Sequence, residues 1–349
     1  MTQFPIFDGH NDTLLRLHMS DNAPSFFTES SEGHIDLPRA EMSGFGGGFF
    51  AVYTPNKNYE VKPEDYMTDS GYDVPLPPPI QQDEALAFTN ALASRLFRLE
   101  AASTGRLKVV RTADELTRCL DKGIMAAIFH IEGAEAIDPD LDALHVLYQA
   151  GLRSLGIVWS RPNVFGEGVP FRYPSTPDTG AGLTEAGKRL VRECNQLGIM
   201  IDTTHLNEKG FWDVANITDA PLVATHSNAH ALSPIARNLT DIQLAAIAES
   251  NGVAGINYAV NMLREDGGLG TDISLDEIVR HVAYIAEKFG VDHVVLGSDF
   301  DGTTVPDSLK DVTGLPKLLD RLKAHGFHND ELQKITHGNW VRVLEDTWK

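Results

Sequence analysis

Near its start the chain reads Phe7-Asp8-Gly9-His10-Asn11-Asp12, a short segment that ends in a His-x-Asp pair. Side chains along a β-strand point alternately to its two faces, so we expect His10 and Asp12 on the same side. An imidazole and a carboxylate held together at a strand end supply half of a transition-metal site. The segment therefore predicts a strand whose end carries metal ligands.

Four later apolar runs also end in a side chain of a type that binds metals. These runs end at Glu132, His205, His226 and Asp299. The carboxyl ends of parallel barrel strands meet on one face, so residues far apart in the sequence can share a pocket there. Five such runs in series predict a metal-dependent hydrolase built on a barrel.

Strand-like and helical patterns alternate along the whole chain. Strands are predicted near 5–11, 47–53, 124–132, 153–159, 199–205, 221–226, 252–257 and 293–299. Helices are predicted near 81–104, 140–150, 183–198, 208–217, 240–250, 274–289 and 313–325. This order is typical of an α/β protein with a (β/α)8 TIM-type barrel, here a single domain over residues 1–349. A doubly wound open sheet is the alternative, but no Gly-x-Gly-x-x-Gly motif follows a predicted strand.

The length beyond a minimal barrel falls mostly into loops after predicted strands. Long βα-side loops are predicted at 54–80, 160–182 and 258–273, where barrel enzymes build their specificity. The glycine-rich stretch 44–48 is expected to be a tight loop or a closely packed strand start. An extra C-terminal helix over 329–347 is expected to pack on the exterior of the barrel.

Composition limits the kinds of partner. The 349 residues carry a formal net charge of −20, which argues against nucleic acid and anionic membranes as partners. No apolar run reaches the ~18 residues that a membrane span needs. No basic segment precedes Asp8, so no signal peptide is expected and a cytoplasmic enzyme is predicted. Cys119 and Cys194 are expected to be buried thiols.

The convergent side chains predict two metal ions. Three histidines and two acids suit zinc or a similar divalent ion, but five ligands exceed the three that a catalytic zinc normally takes. Glu132 lies between an N-terminal and a C-terminal pair of ligands, so we predict that it bridges two ions. Two ions ~3.5–4 Å apart lower the pKa of a bridging water. Asp299 is then available as general base and general acid.

Each of these residues also has a structural explanation. A single histidine in a strand is most often a hydrogen-bonded core residue. Glu132 fits an acid at a helix start, and Asp12 fits an N-cap. Asp299 competes with Asp301 for the catalytic role, and we favour Asp299 because it ends the apolar run. Two further histidines lie close to predicted ligands in the sequence: His130 and His230.

Taken together, the motifs resemble those of a known family. They are Asp8-Gly9-His10-Asn11-Asp12, Ile131-Glu132-Gly133, Asp202-Thr203-Thr204-His205, Thr225-His226-Ser227-Asn228 and Gly297-Ser298-Asp299-Phe300-Asp301-Gly302. Supporting segments are Ile35-Asp36-Leu37-Pro38-Arg39, Ala236-Arg237-Asn238-Leu239-Thr240-Asp241 and Gly338-Asn339-Trp340-Val341-Arg342-Val343. In this order they resemble the membrane (renal) dipeptidase family of binuclear zinc peptidases, within the amidohydrolase superfamily. Other amidohydrolases open with His-x-His and often bridge with a modified lysine.

The resemblance implies a zinc dipeptidase with a small dipeptide as its substrate. It implies metal ligation by the five predicted ligands and a catalytic role for Asp299. It further implies that Arg237 binds the terminal carboxylate of the substrate, a task that suits a guanidinium fork, although a surface salt bridge is the structural alternative. Tyr258, just past the seventh strand, is similarly placed to contact substrate. The sequence leaves open the side-chain preference, a D- or L-residue at the C-terminal position, the native metal and the oligomeric state, a homo-oligomer included.

One departure from the family concerns the end of the fourth strand. The family often places there a histidine that helps to polarise the scissile carbonyl, whereas this chain has Trp159. An indole donates one hydrogen bond but carries no charge. We therefore expect oxyanion stabilisation to rest on the metal or on Arg161, with Trp159 as a substrate contact.

Two other functions compete with the dipeptidase interpretation. A related amidohydrolase that acts on another small amide, lactam or ester would use the same ligand set. A non-catalytic binding protein could keep the metal site for structure, but such a site would not need the additional acid Asp299.

Overall fold

Eight parallel strands form the centre of the molecule. The structure, a computed structural model, describes residues 4–20, 22–57, 59 and 63–349, so parts of the predicted loop 54–80 lie outside the described residues. The strands are β1 (Ile6–Asn11), β2 (Phe45–Tyr53), β3 (Met125–Glu132), β4 (Leu152–Gly156), β5 (Met200–Asp202), β6 (Val223–Ala224), β7 (Val253–Ile256) and β8 (Val294–Leu296). They lie side by side in chain order, and each pair is parallel.

The sheet closes on itself at its carboxyl end. Asn11 forms a parallel bridge with Phe300, just beyond β8. The backbone N–H of Asp299 donates to the carbonyl of His10 at 3.0 Å. The Asp8 carboxylate accepts from the N–H of Ser298 at 2.6 Å and from its hydroxyl at 2.8 Å. The (β/α)8 prediction is therefore confirmed, and these bonds join the first and last strands next to the predicted ligands.

Helices connect the strands, and short polar caps fix where several of them begin. They are α1 (Thr13–Met19), α2 (Leu37–Ser43), α3 (Gln82–Ala102), α4 (Ala113–Lys122), α5 (Asp142–Ala150), α6 (Glu185–Leu197), α7 (Glu208–Ile217), α8 (Asp241–Glu249), α9 (Val260–Leu263), α10 (Asp276–Phe289), α11 (Leu315–His325), α12 (Asn329–Gln333) and α13 (Asn339–Thr347). Thr184 caps α6, Asn207 caps α7, and Thr240 forms a capping box with Gln243 at α8. The helix ranges predicted from the sequence do not include α1, α2, α4 or the short α9.

The glycine-rich stretch serves two purposes. Gly44 ends α2 in the left-handed conformation, at φ 76°. Gly47 lies inside β2, where a Cβ atom would collide with the carbonyl oxygen of Ala126 in β3. Glycine therefore both ends the helix and allows β2 and β3 to approach closely.

The C-terminal helices do not pack where the sequence predicts. A π-helical turn over Lys334–Gly338 joins α12 to α13. Trp340 is fully buried against the inner barrel residues Phe7 and Phe49, and its indole donates to the carbonyl of Leu296 at 3.3 Å. The expectation of exterior packing is wrong, because this helix lies across the amino end of the barrel and fills its interior there.

A small antiparallel sheet over the carboxyl end was not predicted. It joins Met67–Thr68 and Gly71–Asp73, from the loop after β2, to Arg172–Tyr173, from the loop after β4. The third long loop is tied to it, because Asn261 donates to the Tyr72 hydroxyl at 3.2 Å. Each piece is too short to give an alternating pattern in the sequence. A further short strand, Leu107–Val109, pairs with the beginning of β3.

Two smaller predictions can be compared with the structure. Cys119 and Cys194 are free thiols and both are buried, as expected. Within the described residues, no helix combines the length and apolar character needed to cross a membrane.

Candidate metal centre

The predicted ligands meet at the carboxyl end of the barrel. Nε2 of His10 lies 3.4 Å from Oδ2 of Asp12 and 3.8 Å from Oε2 of Glu132. On the other side, Oε1 of Glu132 lies 3.0 Å from Nε2 of His205 and 3.5 Å from Nε2 of His226. All five side chains are buried. One oxygen of Glu132 therefore faces the His10 group, and the other faces the two later histidines.

Several buried atoms in this cluster have no hydrogen-bond partner among the described residues. They include both ring nitrogens of His10 and Oδ1 of Asp12. A buried polar atom without a partner is costly, and metal coordination removes that cost. Two sets of donor atoms lie within 4.8 Å of one another, namely His10–Glu132–His226 and His10–Asp12–Asp299. The donor set therefore fits divalent cations.

The pKa values of the side chains in the cluster also favour bound cations. Burial raises the pKa of the Glu132 carboxyl to about 8 and that of Asp299 to about 6. Burial and nearby cationic groups hold the pKa values of His205 and His226 well below the usual range. Neutral imidazoles are the form that binds metals, and cations would compensate the buried carboxylates.

The alternative of Asp12 as a helix cap can be tested directly. Asp12 does occupy the N-cap position of α1, but its side chain makes no capping hydrogen bond. The carboxylate instead lies beside Nε2 of His10. This geometry favours a ligand over a cap.

Hydroxyl groups contact the two later histidines, a feature that the sequence does not predict. The Thr225 hydroxyl lies 2.6 Å from Oδ2 of Asp202 and 2.8 Å from Nδ1 of His226. Because its one hydrogen is donated to the carboxylate, Nδ1–H of His226 must donate to Thr225, which leaves Nε2 free to bind a cation. The Ser160 hydroxyl lies 2.8 Å from Nδ1 of His205.

The two additional histidines occupy different places. His130 lies behind the cluster, with its ring centroid 5.5 Å from that of His10 and its Nδ1 bonded to Ser154 at 2.9 Å. His230 lies away from the cluster, and its Nε2 contacts the carbonyl of Ser175 at 2.8 Å.

Asp299 and Asp301 differ clearly in their surroundings. Oδ2 of Asp299 accepts from Asn257 at 2.9 Å, while its other oxygen points toward the same space as Asp12. Asp301 is held by Arg16 and Thr13, both at 3.0 Å. Asp301 is therefore committed to structural contacts, whereas Asp299 is close to the predicted ligands.

Two of the candidate side chains come from strained backbone. His205 has φ 68° and Asp299 has φ 59°, in the left-handed region that non-glycine residues seldom adopt. Such strain tends to be retained where it aims a side chain at a functional site. Here it turns both residues toward the cluster at the ends of their strands.

A cavity of about 650 Å³ opens over the cluster. Its walls include Glu132, His205, Asp299 and Trp159. Arg237 also lines it, with Nη2 3.2 Å from Nε2 of His205 and with no partner for its Nε among the described residues. Arg237 is therefore not the surface salt bridge of the structural alternative.

Two other predicted substrate groups lie elsewhere. Tyr258 is fully buried, packs against Phe300 at a centroid distance of 5.7 Å, and does not line the cavity. Direct contact with a substrate is therefore not available to it. Arg161 is also fully buried, and its guanidinium donates to Glu135 at 2.7 Å and to the carbonyl of Thr54 at 2.8 Å. The expectation that Arg161 stabilises an oxyanion is wrong, because these bonds hold it outside the cavity.

The barrel and its buried histidine–carboxylate cluster define a class, the metal-dependent hydrolases. The sequence matches the family described as "Membrane dipeptidase (Peptidase family M19)" over residues 1–349. The chain belongs to the membrane dipeptidase family, and it is accordingly a metal-dependent hydrolase.

Two solved structures agree with this assignment. A solved structure described as the dipeptidase AC, a metallo peptidase, shares 52% identity, with 99% of each chain covered and a TM-score of 0.96. A metallo peptidase from Rhodobacter sphaeroides, liganded with a phosphinate mimic of the dipeptide L-Ala-D-Ala, shares 50% identity. That match covers 99% of this chain and 100% of the other, with a TM-score of 0.94. An uncharacterized protein from the pqqA 5' region of Klebsiella pneumoniae is 48% identical over 254 residues, 73% of this chain and 94% of its own length.

Proposed function

We propose that this chain is a binuclear zinc dipeptidase that hydrolyses the peptide bond of dipeptides, including those with a D-residue at the C-terminal position. The observation that carries the proposal is the position of Glu132. Its two oxygens face different histidine groups, His205 and His226 on one side and His10 on the other. A carboxylate in that position suits a bridge between two cations.

The ligands divide between two ions. His10 and Asp12 would hold one ion, His205 and His226 would hold the other, and Glu132 would bind both. When bound, two such ions polarise the scissile carbonyl and provide a nucleophilic water at neutral pH.

Asp299 would move the proton. Asn257 holds Oδ2 of its carboxylate at 2.9 Å, so Oδ1 can face the reacting atoms. Burial raises the pKa of Asp299 to about 6, which brings the acid closer to the working range of a group that both accepts and donates a proton. It would accept the proton of the attacking water and deliver it to the leaving nitrogen.

Arg237 would bind the free carboxylate of the C-terminal residue. It is a buried cation on the wall of the cavity, next to His205, and its Nε has no partner among the described residues. A dipeptide places its carboxylate one residue beyond the scissile bond. A longer peptide has no carboxylate within reach, so this contact would restrict the enzyme to dipeptides. Trp159 would contact the substrate from the adjacent wall.

A relative supports the proposal that the C-terminal residue of the substrate can have the D-configuration. The Rhodobacter sphaeroides peptidase, 50% identical to this chain, binds a phosphinate mimic of L-Ala-D-Ala. We extend that substrate class to this protein, with one barrel domain over residues 1–349 as the catalytic unit. A cytoplasmic location remains a prediction from the sequence.

Metal analysis combined with a substrate screen tests the proposal. We expect two divalent ions per chain after saturation with zinc, hydrolysis of L-L and L-D dipeptides, and reversible loss of activity on chelation. One ion or fewer per saturated chain would overturn the binuclear site. If the protein hydrolyses lactams, esters or other amides but no dipeptides, it is a different amidohydrolase. If it binds metal but hydrolyses none of these substrates, it is a binding protein.

A further inference from the structure

Three aromatic side chains form one wall of the cavity next to His205. Ring centroids are 5.1 Å apart for Tyr53 and Trp159, and 5.7 Å apart for Trp159 and Phe171. Trp159 and Phe171 also lie 5.7 Å and 6.2 Å from the His205 ring. All three aromatic residues are half-buried and line the same cavity, so part of each is open to it. We call Tyr53, Trp159 and Phe171 the aromatic wall.

Arg161 holds this wall in place from behind. Its guanidinium carbon lies 5.1 Å from the ring centroid of Tyr53 and 5.5 Å from that of Trp159. Because Arg161 is fully buried and paired with Glu135, it adds no free charge to the cavity. Arg161 makes its cation–π contacts with Tyr53 and Trp159 from outside the cavity, whose lining it does not join. The wall is therefore apolar in character.

Arg237 shows which part of a dipeptide reaches the wall. Its Nη2 is 3.2 Å from Nε2 of His205, so the wall and Arg237 both flank this one histidine. The carboxylate that Arg237 would bind and the C-terminal side chain branch from the same Cα atom. The N-terminal residue then lies on the other side of the cluster, near Asp12, Asp299 and Leu15.

We propose that the aromatic wall binds the side chain of the C-terminal residue and selects dipeptides in which that side chain is large and apolar. This specificity rests on the proposed dipeptidase function. Burying an apolar side chain against aromatic rings removes both surfaces from water. In a hydrophobic pocket, one added methylene changes kcat/KM by roughly 10–200-fold.

The test compares two series of dipeptides, L-Ala-Xaa and Xaa-L-Ala, with Xaa as Ala, Leu, Phe, Lys or Glu and with both configurations at the C-terminal position. In the wild type, kcat/KM should rise by about 10-fold or more from Ala to Leu or Phe in the L-Ala-Xaa series. Trp159→Ala should bring that ratio close to one, whereas Trp159→Phe should keep most of it. Leu15→Ala, at a cavity residue outside the aromatic wall, should leave the ratio unchanged.

Metal content, measured for every variant, separates lost specificity from a damaged fold. If Trp159→Ala loses metal, Phe171→Ala carries the same expectation of a reduced ratio. An unchanged ratio in a fully metal-loaded Trp159→Ala or Phe171→Ala enzyme would overturn the proposal. So would a wild-type preference for Lys or Glu, or an effect confined to the Xaa-L-Ala series. A wild type that cleaves no dipeptide would instead overturn the proposed function itself.

Discussion

The two ends of the barrel bury opposite kinds of side chain. At the amino end, Phe7 and Phe49 pack against Trp340, and all three are fully buried and apolar. At the carboxyl end the buried groups are His10, further along β1 than Phe7, and Glu132, the last residue of β3. Burial raises the pKa of the Glu132 carboxyl to about 8, which shows how unfavourable its charge is in this position.

This contrast indicates how the chain combines stability with chemistry. The apolar end gains free energy from burial, while the polar end costs free energy until its ligands are satisfied. We therefore expect changes at the carboxyl end to alter activity or metal binding, and changes at the amino end to alter stability. Four substitutions, at Asp299, Trp340, Arg237 and Thr225, test this division.

Asp299→Asn should have the largest effect, and it should act on turnover alone. If Asp299 moves the proton, the amide should lower kcat by roughly 10²–10⁴-fold, the usual range for general acid–base catalysis. Steady-state kinetics and elemental analysis should be measured on the same samples, with two metals retained. Near-normal turnover would assign the proton transfer to another group, and loss of metal would make Asp299 a ligand.

Trp340→Ala should lower the stability of the fold and leave the activity nearly unchanged. Removing this indole leaves a cavity beside Phe49 and Leu296, and truncation of a buried Phe or Trp to Ala typically costs about 3–5 kcal/mol of unfolding free energy. Urea denaturation should detect the loss, while kcat/KM per folded molecule stays close to that of the wild type. Trp340→Phe is the matched control and should cost less. An unchanged denaturation midpoint would contradict the stabilising role of the amino end.

Arg237→Ala should reduce kcat/KM on dipeptides by an amount equivalent to about 2–5 kcal/mol, the usual effect of removing one partner of a buried charged contact. Dipeptide amides lack the carboxylate, so the variant should lose much less on them. Arg237→Lys keeps the charge but not the fork of the guanidinium, so its kcat/KM on dipeptides should lie between those of the wild type and Arg237→Ala. Equal losses on free acids and amides would show that Arg237 supports the fold or the cluster rather than recognising a carboxylate.

Thr225→Val should have the smallest effect, because it removes only the hydroxyl that holds Nδ1 of His226. Loss of such an outer-shell partner typically weakens metal affinity by roughly 10–100-fold. Competition with a chelator should show one of the two ions leaving more readily. Thr225→Ser, which restores the hydroxyl, should recover the wild-type affinity; if the Val variant binds both ions as tightly as the wild type, His226 does not depend on this contact.

The parts of the molecule that the sequence predicts correctly are those encoded locally. Each barrel strand is an apolar run, and the residue type at its end can be read directly, as at Glu132 and His226. Because parallel barrel strands bring their carboxyl ends to one face, a list of strand ends already describes a cluster. The pattern overestimates strand length in β5 and β6, where only a few residues form ladder hydrogen bonds.

The parts that the sequence does not predict depend on tertiary contacts. Arg161 and Arg237 are both predicted to act on the substrate, yet Glu135 and the carbonyl of Thr54 hold the first, while the second lines the cavity. In the sequence Thr225 is an ordinary threonine near a strand end, and only the structure shows that Asp202 lies beside it. Trp340 belongs to an amphipathic helix that could pack on any apolar surface. Only the structure shows that this surface is the amino end of the barrel.

The small sheet above the cavity has a consequence for protein engineering. It joins the loop after β2 to the loop after β4, and the bond from Asn261 to Tyr72 ties in the loop after β7. A loop transplanted alone from a related barrel would arrive without the partners that its backbone and hydroxyl groups require. The three loops therefore form a single exchangeable module, and a change of substrate range in this scaffold calls for moving all three together.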